Sequence, residues 1–174
     1  MNQTSMIEVL QASEPLPELA EKLRLFGQFV GSWDVQVIIY NPDTTIQIVK
    51  AEWHFGWVLE GRAIQDVWIA PKRELRTAGE NVPGDYGATI RFYDATIDAW
   101  RSTWIGPVKG KVIPFIARQV GDEIVLEGKL DAKTEVKWIF SEVTKESFCW
   151  RSIESTDGFA SENKVQEMIC QRTK

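Results

Sequence analysis

The chain has one histidine in 174 residues, His54, and two cysteines, Cys149 and Cys170. It has no apolar run near the roughly 20 residues that a membrane span needs. A single histidine excludes a three-histidine zinc site, and no histidine–glutamate helix motif accompanies it. One histidine would suffice for haem, but no other haem feature is present, so no cofactor is expected. There is no Gly-x-Ser-x-Gly and no glycine-rich phosphate loop. A serine triad would have to use His54, and no serine context supports one. Positive charge is also short: 20 Lys and Arg face 25 Asp and Glu, for a net −5 and a pI near 5.0. That balance argues against nucleic acid, whose binding rests on neutralising phosphates. Residues 1–10 show no basic region leading into an apolar run, so no signal peptide is expected. The expectation is a cytoplasmic, reduced protein that is not membrane-bound.

What is abundant is tryptophan, 8 residues, with 8 Phe and 3 Tyr beside it. Hydrophobic residues make up 44% and charged residues 26%, an ordinary globular mix. The length suits one domain: residues 1–13 read as a flexible tail and 14–174 as the domain. Pro15 and Pro17 suit a first helical turn. Leu16, Leu19, Ala20, Leu23 and Phe26 follow at helical spacing, with Gly27 as the stop. From Trp33 the period becomes two. Strand-like runs follow at about 33–40, 44–55, 58–69, 87–94, 99–106, 111–120, 123–130, 134–143, 146–155 and 160–171. Most separators are turn formers; Glu60-Gly61 reads as a bulge. Gly121-Asp122 fits a glycine-first two-residue turn and Asp157-Gly158 a type I′ turn. Residues 70–86 form the one long linker. Consecutive strands with short links predict an all-β fold. The expected form is an antiparallel up-and-down barrel of about eight to ten strands, with a short N-terminal capping helix. Closure would remove the free edges that invite aggregation.

Phe29-Val30-Gly31-Ser32-Trp33, after a short helix, resembles the Gly-x-Trp start of the lipocalins and their calycin relatives. The blocks Val58–Trp68, Arg91-Phe92-Tyr93-Asp94, Trp100-Arg101 and Trp104 are similar to those of bacterial lipocalin-like barrel proteins. The resemblance implies that Trp33 plugs one barrel end and that a late arginine, with Arg172 as candidate, packs across it. It also implies a cavity for an apolar molecule. No activity comes with the likeness, and the extracellular setting of secreted lipocalins is not implied.

Several aromatics share strand faces: Trp53 with Phe55, Trp100 with Trp104, Trp138 with Phe140, and Phe148 with Trp150. Lining by Trp53, Trp100, Trp104, Trp138, Phe140, Phe148 and Trp150 would suit a small apolar or aromatic ligand. Arg62, Asp66 and Glu154 are the candidate polar anchors. The simplest register puts Ala63, Gln65, Val67 and Ile69 inside and Arg62 outside. The other register makes Arg62 and Asp66 an inward pair beside Trp68. The rival reading is a cofactor-independent isomerase, cyclase or hydratase using the same cavity, with Glu154, Asp66 or His54 moving the proton. A third reading, an interaction module using the outer sheet face, lacks an evident apolar patch. Self-association is left open. The thiols should be free. With Asp157-Gly158 as the turn, Cys149 lies opposite Gln166, and Cys170 is four residues on, roughly 13–14 Å away. A disulfide needs Cα atoms within about 7 Å. Both thiols should therefore alkylate in denatured protein without reductant; a mass two protons short would contradict this.

Overall fold

The structure is a computed structural model that describes residues 4–76 and 84–174. It opens with helix α1 (Met6–Leu10), held by a Ser5–Glu8 capping box, and strand β1 (Gln11–Ala12). A 3-10 turn at Pro17–Leu19 leads into helix α2 (Ala20–Gly27). Residues 4–13, part of the expected flexible tail, thus contain regular structure: β1 pairs with the end of the second barrel strand at Val58 and Trp57.

Ten strands follow: β2 (Gly31–Tyr40), β3 (Ile46–Val58), β4 (Ala63–Ala70), β5 (Asp85–Asp94), β6 (Ala99–Gly106), β7 (Lys111–Val120), β8 (Glu123–Lys129), β9 (Glu135–Ser141), β10 (Ser147–Ser155) and β11 (Asn163–Arg172). Each pairs antiparallel with the next, and β11 pairs with β2, closing the barrel. Each expected strand run overlaps one of these. Gly121-Asp122 is the two-residue turn expected, since Val120 and Glu123 pair. Glu60-Gly61 is not a bulge. It lies in the β3–β4 turn, where Leu59, Glu60 and Gly61 all have positive φ. The last hairpin also differs. Its connection spans residues 156–162 because the Asp157 carboxylate and Ser155 hydroxyl gather Ser161 and Phe159 into a wide turn. The register therefore moves by three, and Cys149 faces Ile169 instead of Gln166. The cysteines are neighbours across the hairpin but point to opposite faces. Cys170 is buried, Cys149 is half-buried, and both are free. Burial pushes both thiols above their ordinary range.

One barrel end is sealed by α2 and by Trp33. The Trp33 indole N–H donates to the Phe29 carbonyl at 2.7 Å. Its ring packs on Phe148 from one side and lies under the Arg172 guanidinium, 4.1 Å away, on another. Arg172 in turn donates to the carbonyls of Gln28, Val30 and Lys145. The plug and arginine implied by the resemblance are therefore in place. Gly31 is required here: its φ is +126, and a Cβ would sit 2.6 Å from Arg172 Nη1.

Below the plug lies a charged pair. Asp66 is fully buried, and Arg91 is 1% exposed. Arg91 Nη2 donates to Asp66 Oδ2 at 2.5 Å, and the Thr89 backbone N–H donates to Oδ1. The guanidinium lies over the rings of Phe26, at 4.9 Å, and Phe55, at 5.6 Å. The register of β4 is thus the reverse of the simplest expectation. Ile64, Asp66 and Trp68 share the inward face, while Gln65 and Val67 are half-buried on the outer face. The ion pair makes an inward aspartate affordable.

Two outcomes follow. Trp33→Ala should lower the unfolding free energy by about 3–5 kcal/mol, as for other buried Trp truncations; an unchanged denaturation midpoint would remove the plug from the account. Asp66→Ala should cost about 3–5 kcal/mol by stranding the Arg91 charge, whereas Asp66→Leu with Arg91→Met should recover most of that loss. A double variant no more stable than the single one would show that the charge is not what matters.

Candidate functional site

At the end opposite α2 the barrel interior opens into a cavity of about 190 Å³. Its walls carry five tryptophans: Trp53, Trp68, Trp104, Trp138 and Trp150. They contact one another nearly edge to face: Trp53 with Trp68 at 5.4 Å, Trp104 with Trp138 at 6.0 Å and Trp138 with Trp150 at 5.4 Å. Trp104 fits because two glycines face it. A Cβ on Gly87 or Gly106 would come within 3 Å of its ring. Thr89 and Ser152 add hydroxyls to the wall, and Met168 adds a thioether. Asp85, Lys109, Lys111, Glu154 and Gln166 also line it. Asp85 pairs with Lys109 at 3.3 Å. The Glu154 carboxylate, by contrast, has neither an ion pair nor a hydrogen bond among the described residues. A wider open groove of about 1260 Å³ runs around α2 on the outside. It is a surface feature with mixed lining, not an interior.

The expected site residues divide into three groups. Trp53, Trp104, Trp138, Trp150 and Glu154 line the cavity together. Trp100, Phe140 and Phe148 also point inward, but they pack with Phe26, Phe29 and Trp33 in the closed half. They do not line the cavity. Asp66 is committed to Arg91 and also stays off the lining. Arg62 is exposed in the β3–β4 turn, beside Glu60, and is remote from the interior. The inward pair is Asp66 with Arg91, not Asp66 with Arg62. Its signal was the shared parity of Asp66 and Arg91 on paired strands. Ser152 was also within reach, lying between Trp150 and Glu154 on one face, as was Lys111, which continues the face of Ile113 and Phe115. Gln166 and Met168 were not, because their placement depends on the shifted last hairpin.

His54 lies outside the barrel wall, on the outward face of β3. Its Nδ1 is 2.8 Å from Ser32 Oγ, across the strand pair, and its Nε2 is 3.1 Å from Glu52 Oε2. Glu52 accepts from the Arg73 Nε, Nη2 and backbone N–H. Those Arg73 bonds hold its carboxyl down at about 2. The cluster does not reach the tryptophan cavity. Among the described residues no group of His, Cys, Asp and Glu is arranged to hold a metal, and no helix is long and apolar enough to cross a membrane.

No protein-family model matches the chain, and no curated protein matches it. Solved structures do. The S-type phycobiliprotein lyase CPES from Guillardia theta superposes with a TM-score of 0.57 at 14% identity, covering 87% of this chain and 92% of that one. Rv2717c from M. tuberculosis superposes with a TM-score of 0.56 at 10% identity, covering 92% and 100%. At such identities the likeness is one of fold, a closed antiparallel ten-stranded barrel.

Proposed function

We propose that this barrel binds a small apolar or aromatic molecule in the tryptophan-lined cavity. The observation that carries the reading is the cavity itself, open at the end away from α2 and walled by five indoles. A barrel filled by side chains alone would leave no such space. The volume limits the ligand. An apolar cavity of about 150 Å³ holds benzene, whereas drug-sized ligands occupy about 300–1,000 Å³. About 190 Å³ therefore suits a molecule of one ring or a short branched chain. Apolar area and edge contacts would supply the affinity. Glu154 and the Ser152 and Thr89 hydroxyls would orient a polar substituent. The calycin-like fold of a phycobiliprotein lyase supports a small-molecule role for such a barrel. Glu154 also keeps the enzymatic reading in view: of Glu154, Asp66 and His54, it alone lines the cavity and could move a proton there.

Titration with a panel of single-ring aromatics should change the tryptophan emission saturably. Ser152→Phe, which fills the cavity, should abolish the change while far-ultraviolet circular dichroism stays the same. Insensitivity of the parent protein to the whole panel would overturn the proposal. Glu154→Gln then separates carrier from enzyme: binding kept with turnover lost assigns catalysis.

A further inference from the structure

We propose that Ser32 is a nucleophile at a second site, on the outside of the barrel, where His54 and Glu52 activate it toward small neutral carboxylic esters. The three groups come from two adjacent strands. Ser32 and His54 are direct partners across β2 and β3, and Glu52 lies on the same outward face as His54 two residues away. An activated serine needs a base within hydrogen-bond reach and a third group that orients the base. Ser32 Oγ to His54 Nδ1 at 2.8 Å meets the first condition, and His54 Nε2 to Glu52 Oε2 at 3.1 Å meets the second. Here the serine sits on Nδ1 and the carboxylate on Nε2. An imidazole relays a proton in either sense, so the roles are preserved.

Glu52 is held ionised by Arg73, which donates through Nε at 2.7 Å and through its backbone N–H at 2.8 Å. An ionised Glu52 keeps the proton of the neutral ring on Nε2 and leaves Nδ1 free to accept from Ser32. The site has room for a substrate. Ser32, His54 and Glu52 line a surface pocket of about 470 Å³ with Asp34, Lys72, Arg73, Glu74 and Thr173. Three carboxylates, Asp34, Glu52 and Glu74, outnumber two cations, Lys72 and Arg73, in that lining. This balance repels anionic esters and favours neutral ones. Lys72 is the cation of that lining not engaged by Glu52; it is bound to Asp34 and Glu74 at 2.8 and 3.1 Å.

The step is ordinary acyl transfer. Ser32 Oγ attacks the ester carbonyl as its proton passes to His54 Nδ1. The bond to the alcohol oxygen then breaks, and the alcohol leaves with that proton. Water attacks the acyl-Ser32 ester by the same route, returning free Ser32 and a carboxylic acid.

The test uses the whole protein, a fluorophosphonate probe and p-nitrophenyl acetate. Intact mass and peptide mapping should show one fluorophosphonate adduct, on Ser32. The adduct should be absent from Ser32→Ala and should form about 10²-fold or more slowly in His54→Gln. The rate should fall toward acid pH, where a protonated imidazole cannot accept the serine proton. In Glu52→Gln the labelling rate should also fall, because the neutral amide no longer holds the ring proton on Nε2, while far-ultraviolet circular dichroism stays the same. p-Nitrophenyl acetate should acetylate the same serine. An absent adduct on the parent protein, an adduct elsewhere, or an equal rate in His54→Gln would overturn the proposal. Labelling of the parent protein decides the matter even if a variant fails to fold.

Discussion

A sheet closed on itself has no free edge, but it must fill the space it encloses. Ten strands enclose more than aliphatic side chains readily fill. All eight tryptophans turn inward; seven are buried, and Trp138 is packed against Phe115 and Trp104. Indoles fill wide space with few rotatable bonds, so their abundance follows from the barrel's girth. The fit is made locally by pairing large with small. Gly87 and Gly106 face Trp104, and Gly128 faces Phe115. Where the aromatic packing ends, the cavity begins.

The interior is therefore divided along the barrel axis. The closed half is a continuous aromatic cluster from Phe26 and Phe29 to Phe140 and Phe148. The open half is a ring of tryptophans around a small space. The Asp66–Arg91 pair lies off the cavity lining, against the aromatics of the closed half. An ion pair without solvent is poor stabilisation compared with well-packed apolar groups. It does, however, require Asp66 on β4 and Arg91 on β5 to face the interior together.

Barrel class, strand count and the capping helix were legible because they rest on local patterns: alternation, turn formers and one helical stripe. The Trp33 role and its arginine came from resemblance and agree with the geometry. Interior parity on β4 was not legible from apolar content alone. Ala63 and Ile69 are buried as well as Ile64 and Trp68, so both faces look apolar, and only the partner Arg91 distinguishes them. The last hairpin misled because Asp157-Gly158 has the composition of a tight turn, while Ser155 and Ser161 bind Asp157 into a wider one. The Ser32–His54–Glu52 cluster was hidden for another reason. Linear motifs describe neighbours along the chain, whereas Ser32 meets His54 across a strand pair 22 residues apart.

Closure through β2 and β11 joins the beginning of the barrel to its end, with Val37 opposite Met168. Every other strand pairing can form as soon as the next hairpin folds. This one must wait for the whole meander, so the loop-closure entropy falls on a single late event. Until then β2 and β11 are both open edges, and Arg172 has not yet gripped the carbonyls before β2. Assembly is thus vulnerable at one seam, and a nascent chain short of its last strand would expose two sticky borders rather than a smaller barrel.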